Sequence, residues 1–379
     1  MRKYIFGMRI PLPFPVAAAL AAAAASLSAQ TPSAWRYTEE LRIGSEADDV
    51  TGFSEIRGLL VNRKGNIWIL EASLQEIRVF DSAGKHLRTV GRKGQGPGEF
   101  TGADGLVEAP DGRIWVHDPR GARLTIFDQE GSFLRHQILP PNGRSYLWSG
   151  GIDAEARVWD EMYVPDPDHP TRVRFRRAAP DFTRSDTVTI PSCNRPGEEP
   201  RARFFQFPSG TMMVPFYPAA VTAIDLRRGA VWCAPKGDEY RVYQVGIQRP
   251  DTLARITGRA DRVPVSGAER DTAVAKVKAF MKRAGETSFD WSRIPKYKPL
   301  LVAAFVDESG RLWLRRSAAG IVAAFDIYSP EGLLVGTLTV PHPVTTWHRP
   351  VVRGDRAYFV AQEEGEIPYV IRARIGPAH

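Results

Sequence analysis

The sequence predicts an all-β fold, a six-bladed β-propeller closed by its N-terminal strand, with one helical insertion between later blades. Three observations predict it. First, a turn built on Gly or charged residues precedes an aromatic residue in a β-rich run six times: Gly65 before Trp68, Gly112 before Trp115, Glu155 before Trp159, Gly229 before Trp232, Gly310 before Trp313 and Gly354 before Tyr358. A hairpin with an aromatic residue in its second strand is the unit of a propeller blade, and its repetition marks an array. Second, the first two units align almost without gaps, with 12 residues separating Trp68 from Phe80 and Trp115 from Phe127. Third, the last unit offers only three strands, at residues 346–352, 357–361 and 369–375, while a spare strand stands at residues 35–43. Placing that strand at the outer edge of the last unit closes the ring and removes an exposed sheet edge.

The blades follow in order. In the first, an inner strand over residues 57–62 leads to Ile67-Trp68-Ile69-Leu70-Glu71, a third strand at 77–81, a turn at Ala83-Gly84-Lys85 and an outer strand at 86–90. Apolar residues alternate within short runs bounded by Gly turns, as antiparallel strands require. The second blade repeats this from residue 105 to 138. The third runs from Trp148 to about Ile190, the fourth from near Val221 to Ile256, the fifth from Leu300 to Val340. Successive turns lie 47, 43, 74, 81 and 44 residues apart, so two intervals hold insertions. One insertion, residues 264–286, is helical: Ser266-Gly267-Ala268-Glu269 is a capping box, and Val274, Val277, Phe280, Met281 and Ala284 recur at helical spacing. Gly285 supplies the stop. This helix is expected to lie against the propeller wall. The other insertion, residues 192–218, is rich in Pro, Arg and Phe and reads as an irregular loop.

Blades 1 and 2 are linked by Gly91-Arg92-Lys93-Gly94-Gln95-Gly96-Pro97-Gly98-Glu99-Phe100. Its glycines permit positive φ and close backbone approach, Pro97 fixes a turn, and Phe100 is sized to plug the gap between blades. A phosphate-cradling loop would need a helix after it, and here a strand follows. Through this segment the chain closely resembles the NHL-repeat family of six-bladed propellers, whose blades are joined by G-x-G-P-G-E-F. The match is specific over residues 56–139 and looser beyond. Over most of its length the chain also resembles exported six-bladed β-propeller proteins of the TolB-like superfamily, which have no assigned activity.

The N-terminal stretch reads as a secretory signal: Arg2, Lys3 and Arg9, an Ala-rich apolar run, then small residues ending at Ala29. That run is shorter than the roughly 20 residues a membrane span needs. Residues 1–29 are therefore expected to be removed, leaving residues 30–379 as a single monomeric propeller domain in the periplasm or outside the cell. The net charge of +8 falls by three with the signal. The remaining Arg is dispersed, and nucleic-acid binding would want a concentrated basic face. An oxidising compartment permits a disulfide between Cys193 and Cys233, the only two cysteines. The alternative is two unpaired thiols, one of them buried as a small hydrophobe.

In a propeller, the loops between second and third strands and the links between blades open at the same end of the central channel. Aligning the units there gathers Glu71, Asp118, Arg120, Tyr163, Arg315 and Arg316, with Asp104 and Trp148 from links. The first six and Asp104 are the expected binding residues for a polar ligand, peptide or protein partner. The competing reading is solvated loop ends, which are polar in any propeller. No catalytic residue and no cofactor is expected. The alternative is a Ca²⁺-dependent hydrolase, lactonase or lyase, since related six-bladed folds include lactonases with a central cation held by carboxylate and amide oxygens. Glu55, Asp104 and Asp118 approach such a position from two blades, but no set completes it from the far side. A His-held metal is disfavoured because only His117 sits at that end of a second strand. The six second-strand aromatics are assigned to the core rather than to a stacking platform.

Overall fold

An Asn or Asp at the end of an inner strand organises the hairpin turn. Asn62 Oδ1 accepts the amides of Lys64 and Asn66 at 3.1 and 2.9 Å. Asp153 does the same for Glu155 and Arg157, and Asp307 for Ser309 and Arg311. In two blades the second carboxylate oxygen takes the indole N–H six residues on, Trp159 to Asp153 and Trp313 to Asp307, each at 2.8 Å. The turn and the aromatic are thus one hydrogen-bonded unit, which explains their recurrence together.

The computed structural model describes residues 33–378, apart from 46–49, 140–147, 149, 163–172, 192, 194–203, 208–209, 286–289, 321, 364 and 366. The expected signal and its cleavage site lie outside the described residues. Six four-stranded antiparallel sheets form the blades. Blade 1 comprises Ile56–Val61, Ile67–Glu71, Glu76–Phe80 and His86–Val90, and blade 2 Gly105–Glu108, Ile114–Asp118, Arg123–Phe127 and Phe133–Ile138. Blade 3 is Gly151–Ile152, Val158–Met162, Val173–Ala178 and Ser185–Ile190; blade 4 is Val221–Asp225, Ala230–Ala234, Arg241–Gly246 and Thr252–Thr257. Blade 5 is Leu301–Val306, Leu312–Arg316, Ala323–Tyr328 and Leu334–Val340. Blade 6 takes Val351–Arg353, Arg356–Ala361 and Tyr369–Pro377 from the C-terminal end and Trp35–Ile43 as its outer strand.

The closing strand runs in register from Trp35 opposite Pro377 to Ile43 opposite Val370, with a bulge between Glu39 and Leu41. Bulges bend an edge strand and increase its twist. Trp35 meets the Trp313 ring edge-on at 6.0 Å, so the strand also packs on blade 5. Second-strand aromatics Trp68, Trp115, Trp159, Trp232, Trp313 and Tyr358 are all buried in the core between blades. Phe100 is fully buried and lies edge-on to Phe127.

The insertions differ from expectation in one respect. The helix Gly267–Ala284 has its capping box and its left-handed Gly285 cap, and its buried side chains meet the other insertion. Val277 and Met281 pack with Phe205 and Val214 of the other insertion. That insertion holds a hairpin, Phe204–Phe207 with Gly210–Met213, where an irregular loop was expected. Each insertion buries the apolar stripe the other exposes. Cys193 and Cys233 are disulfide-bonded, with Cα atoms 5.2 Å apart, which pins the first insertion to blade 4.

Candidate functional site

A cavity of about 380 Å³ runs along the inner strands. Where those strands begin, its walls carry Arg57, Asp104, Trp148, Trp347, His348 and Arg349; where they end, Asp307, Glu308 and Arg353. Arg353 crosses the far end. It donates to the Val61 carbonyl at 2.6 Å and to Glu308 at 2.6 Å, and lies 3.6 Å from Glu108, so it ties blades 1, 2, 5 and 6 together. The other end is the mouth, where Trp347 is 55% exposed.

Beneath the mouth lies a buried polar cluster. His117 Nδ1 is 2.6 Å from Asp104 Oδ1, and its Nε2 faces Asp160 Oδ1 at 3.2 Å, too bent for an aligned hydrogen bond. Asp160 is paired in turn with Arg176. Trp148 stacks on the His117 ring at 5.2 Å. Burial by itself would lower the His117 pKa, but the hydrogen bond to Asp104 and the negative charges of Asp104 and Asp160 prevail and raise it to about 9. The imidazolium is therefore the neutral-pH form. With a carboxylate facing each ring nitrogen, it fits a brace better than a proton shuttle.

His348 behaves oppositely. Its Nε2 lies 2.6 Å from the Ile56 carbonyl, which can only accept, so Nε2 carries the proton and Nδ1 faces Thr345 Oγ1 at 2.7 Å. Burial pushes its pKa down to about 4, leaving a neutral ring that fastens blade 6 to blade 1. Arg349 is reachable by solvent within the cavity, yet surrounding protein strips enough water to lower its pKa, against the opposing charge of Glu161.

Of the residues expected at the rim, Asp104 and Trp148 line the cavity, while Glu71, Asp118, Arg120, Arg315 and Arg316 do not. Glu71 is buried and accepts the amides of Ser54, Glu55 and Ser73 at 3.0–3.1 Å. Asp118 is buried likewise, accepting from Thr101, Gly102 and Gly121. Both carboxylates hold inter-blade links in place, because amides in a buried link need acceptors. Arg120 is exposed, with its stem against Gly102. Arg315 donates to the Thr345 carbonyl at 2.8 Å and is desolvated enough for its pKa to fall to about 10. Arg316 pairs with Asp326 at 2.9 Å, which also accepts from Tyr240. Tyr163 lies outside the described residues. Glu55 is paired with Arg57 at 2.8 Å. Among the described residues, no three His, Cys, Asp or Glu side chains are grouped to hold a metal ion. Trp347, His348 and Arg349 were missed. Their signal was a Trp-His-Arg-Pro run in the link before blade 6.

Residues 46–141 match the DUF5128 family, described as a 6-bladed beta-propeller. A member of the duf4221 family from Bacteroides vulgatus is 10% identical, with a TM-score of 0.56 over 92% of this chain and 100% of that one. The fold is a six-bladed β-propeller. A streptogramin B lyase (11% identity, TM-score 0.47, 90% of this chain and 98% of that one) and the PQQ-bound aldose sugar dehydrogenase of Streptomyces coelicolor (10%, 0.47, 91% and 99%) are also similar. No curated protein matches the chain. Among the described residues no helix is long and apolar enough to cross a membrane.

Proposed function

We propose that this protein is an exported, monomeric, NHL-like recognition propeller that takes a polar ligand or a protruding segment of a partner into the mouth of its central channel, and that it acts by binding, without a cofactor. The observation that carries this reading is Trp347, more than half exposed beside Arg349 at the open end of a cavity crossed at its other end by Arg353. A large aromatic left facing solvent at a concave mouth is a contact surface in waiting. The braced ion pairs below it hold the walls in place before any ligand arrives, which lowers the ordering cost of binding. The N-terminal sequence supports export.

The test is a thermal-shift screen of the mature protein against sugars, amino acids, nucleotides and short peptides, followed by titration calorimetry of each stabilising compound. Trp347→Ala should weaken binding on the order of tenfold or more without shifting the unliganded melting temperature, because exposed positions seldom carry stability. Stabilising compounds that bind wild type and Trp347→Ala equally would remove the basis for this site.

A further inference from the structure

The seam that closes the ring carries a second cleft, on the face where inner and second strands turn, away from the channel mouth. It has a volume of about 580 Å³, lies between blades 6 and 1, and is lined by Arg63, Arg353, Arg356, Arg372, Tyr358 and Asn62 among others, with no Asp or Glu in its walls. We propose that this cleft is a binding site for a phosphate or sulfate group, free or as an ester.

The guanidiniums are anchored from behind, which fixes their forks in advance. Arg356 Nε donates to Glu40 at 2.9 Å, Arg372 donates to the Ser82 carbonyl, and Arg63 Nη1 donates to the Pro110 carbonyl at 2.8 Å. Arg353 is held by Val61 and Glu308. Among the described residues, Nη2 of Arg63 and Nη2 of Arg356 keep no partner. The charge balance leans the same way. Glu40 and Asp355 are two carboxylates against Arg356, Arg372 and Arg374, and neither lines the cleft.

Asn62 adds a neutral donor. Its Oδ1 is used by the turn amides of Lys64 and Asn66, while its Nδ2 is buried without a hydrogen-bond partner. A buried amide N–H left unpaired is costly, and an oxyanion in the cleft would answer it after a small shift of the turn. Guanidinium forks prefer oxyanions and bind them in pairs of parallel hydrogen bonds. A planar carboxylate is satisfied by one fork. Several forks approaching from two blades, with an amide beside them, fit a tetrahedral group that offers oxygens in several directions.

The experiment uses the mature chain at low ionic strength, with calorimetric titration of inorganic pyrophosphate and sulfate in one arm. Sedimentation with phosphatidylglycerol vesicles forms the other. Arg63→Gln is the first variant because Arg63 is exposed and stands apart from the closing strand; Arg356→Gln is the second. Binding in either arm, weakened about tenfold by Arg63→Gln at an unchanged melting temperature and unaffected by equimolar acetate, is the expected result. Binding of pyrophosphate or sulfate would assign a soluble source, and binding of vesicles alone a lipid headgroup. The proposal is overturned by no binding in either arm, by equal affinity in Arg63→Gln, or by acetate competing as well as pyrophosphate.

Discussion

Gly91→Ala tests the packing of the first inter-blade link against a built-in control. Gly91 has φ +76°, and a Cβ placed there would lie 2.2 Å from Cε2 of Phe100, whose ring is fully buried against Phe127. Gly65 has nearly the same backbone, φ +81°, but nothing lies within 4 Å of its added Cβ. Gly65→Ala therefore bears only the cost of a left-handed Ala, about 1–2 kcal/mol. Gly91→Ala bears that cost and also the displacement of Phe100 in a packed core, about 1–3 kcal/mol more. Together these give about 2–5 kcal/mol. Urea unfolding of both variants beside wild type reads the difference directly, provided the slopes of the transitions agree. Shrinking the obstacle should recover part of the loss, so Phe100→Leu should cost less in the Gly91→Ala background than alone. Equal losses for Gly65→Ala and Gly91→Ala, or strict additivity with Phe100→Leu, would refute the plug role given to Phe100.

Deleting residues 30–44 should leave Tyr369–Pro377 as an open edge and give insoluble protein or a much lower melting temperature; a truncated chain that melts at the full-length temperature would contradict the closure. Reducing the Cys193–Cys233 bond, which spans a sequence separation of 40, should cost up to about 4 kcal/mol by chain entropy, read as a urea midpoint with and without reductant. The His117 pair makes stability depend on pH. Its folded pKa of about 9 lies above the ordinary 6.5, so its contribution is full below pH 6.5 and is lost as pH rises through about 9. His117→Gln should flatten the stability curve across that window, and an unchanged curve would show that another group sets it.

The ring was legible because its signals are local. A turn and an aromatic six residues after Asp153 or Asp307 report one hydrogen-bonded hairpin, and the capping box at Ser266 reports one helix end. What the helix packs on was not legible, since Val277 and Met281 look alike whether they face a blade or the hairpin at Phe205. The burial of two rim carboxylates was not legible for a related reason. Glu71 and Asp118 do stand at the expected end of their strands, but whether a carboxylate there meets solvent or a buried amide depends on how the link folds over it. Trp347 to Arg349 escaped because residues 346–352 read as the inner strand of the last blade, whereas that strand starts at Val351 and the three residues belong to the link before it.

Closure through the first described strand also sets an order of events. Trp35–Ile43 is made before blades 1 to 5 and its partner Tyr369–Pro377 after them, so those blades can form while blade 6 waits. Until then the early strand carries unpaired amides and carbonyls that another chain can claim. Pairings this distant in sequence form slowly, and long-lived partly folded chains are the ones that aggregate. Glu40, gathering Arg356, Arg372 and Arg374 once they arrive, gives the waiting strand a way to tell its own partner from a neighbour's edge.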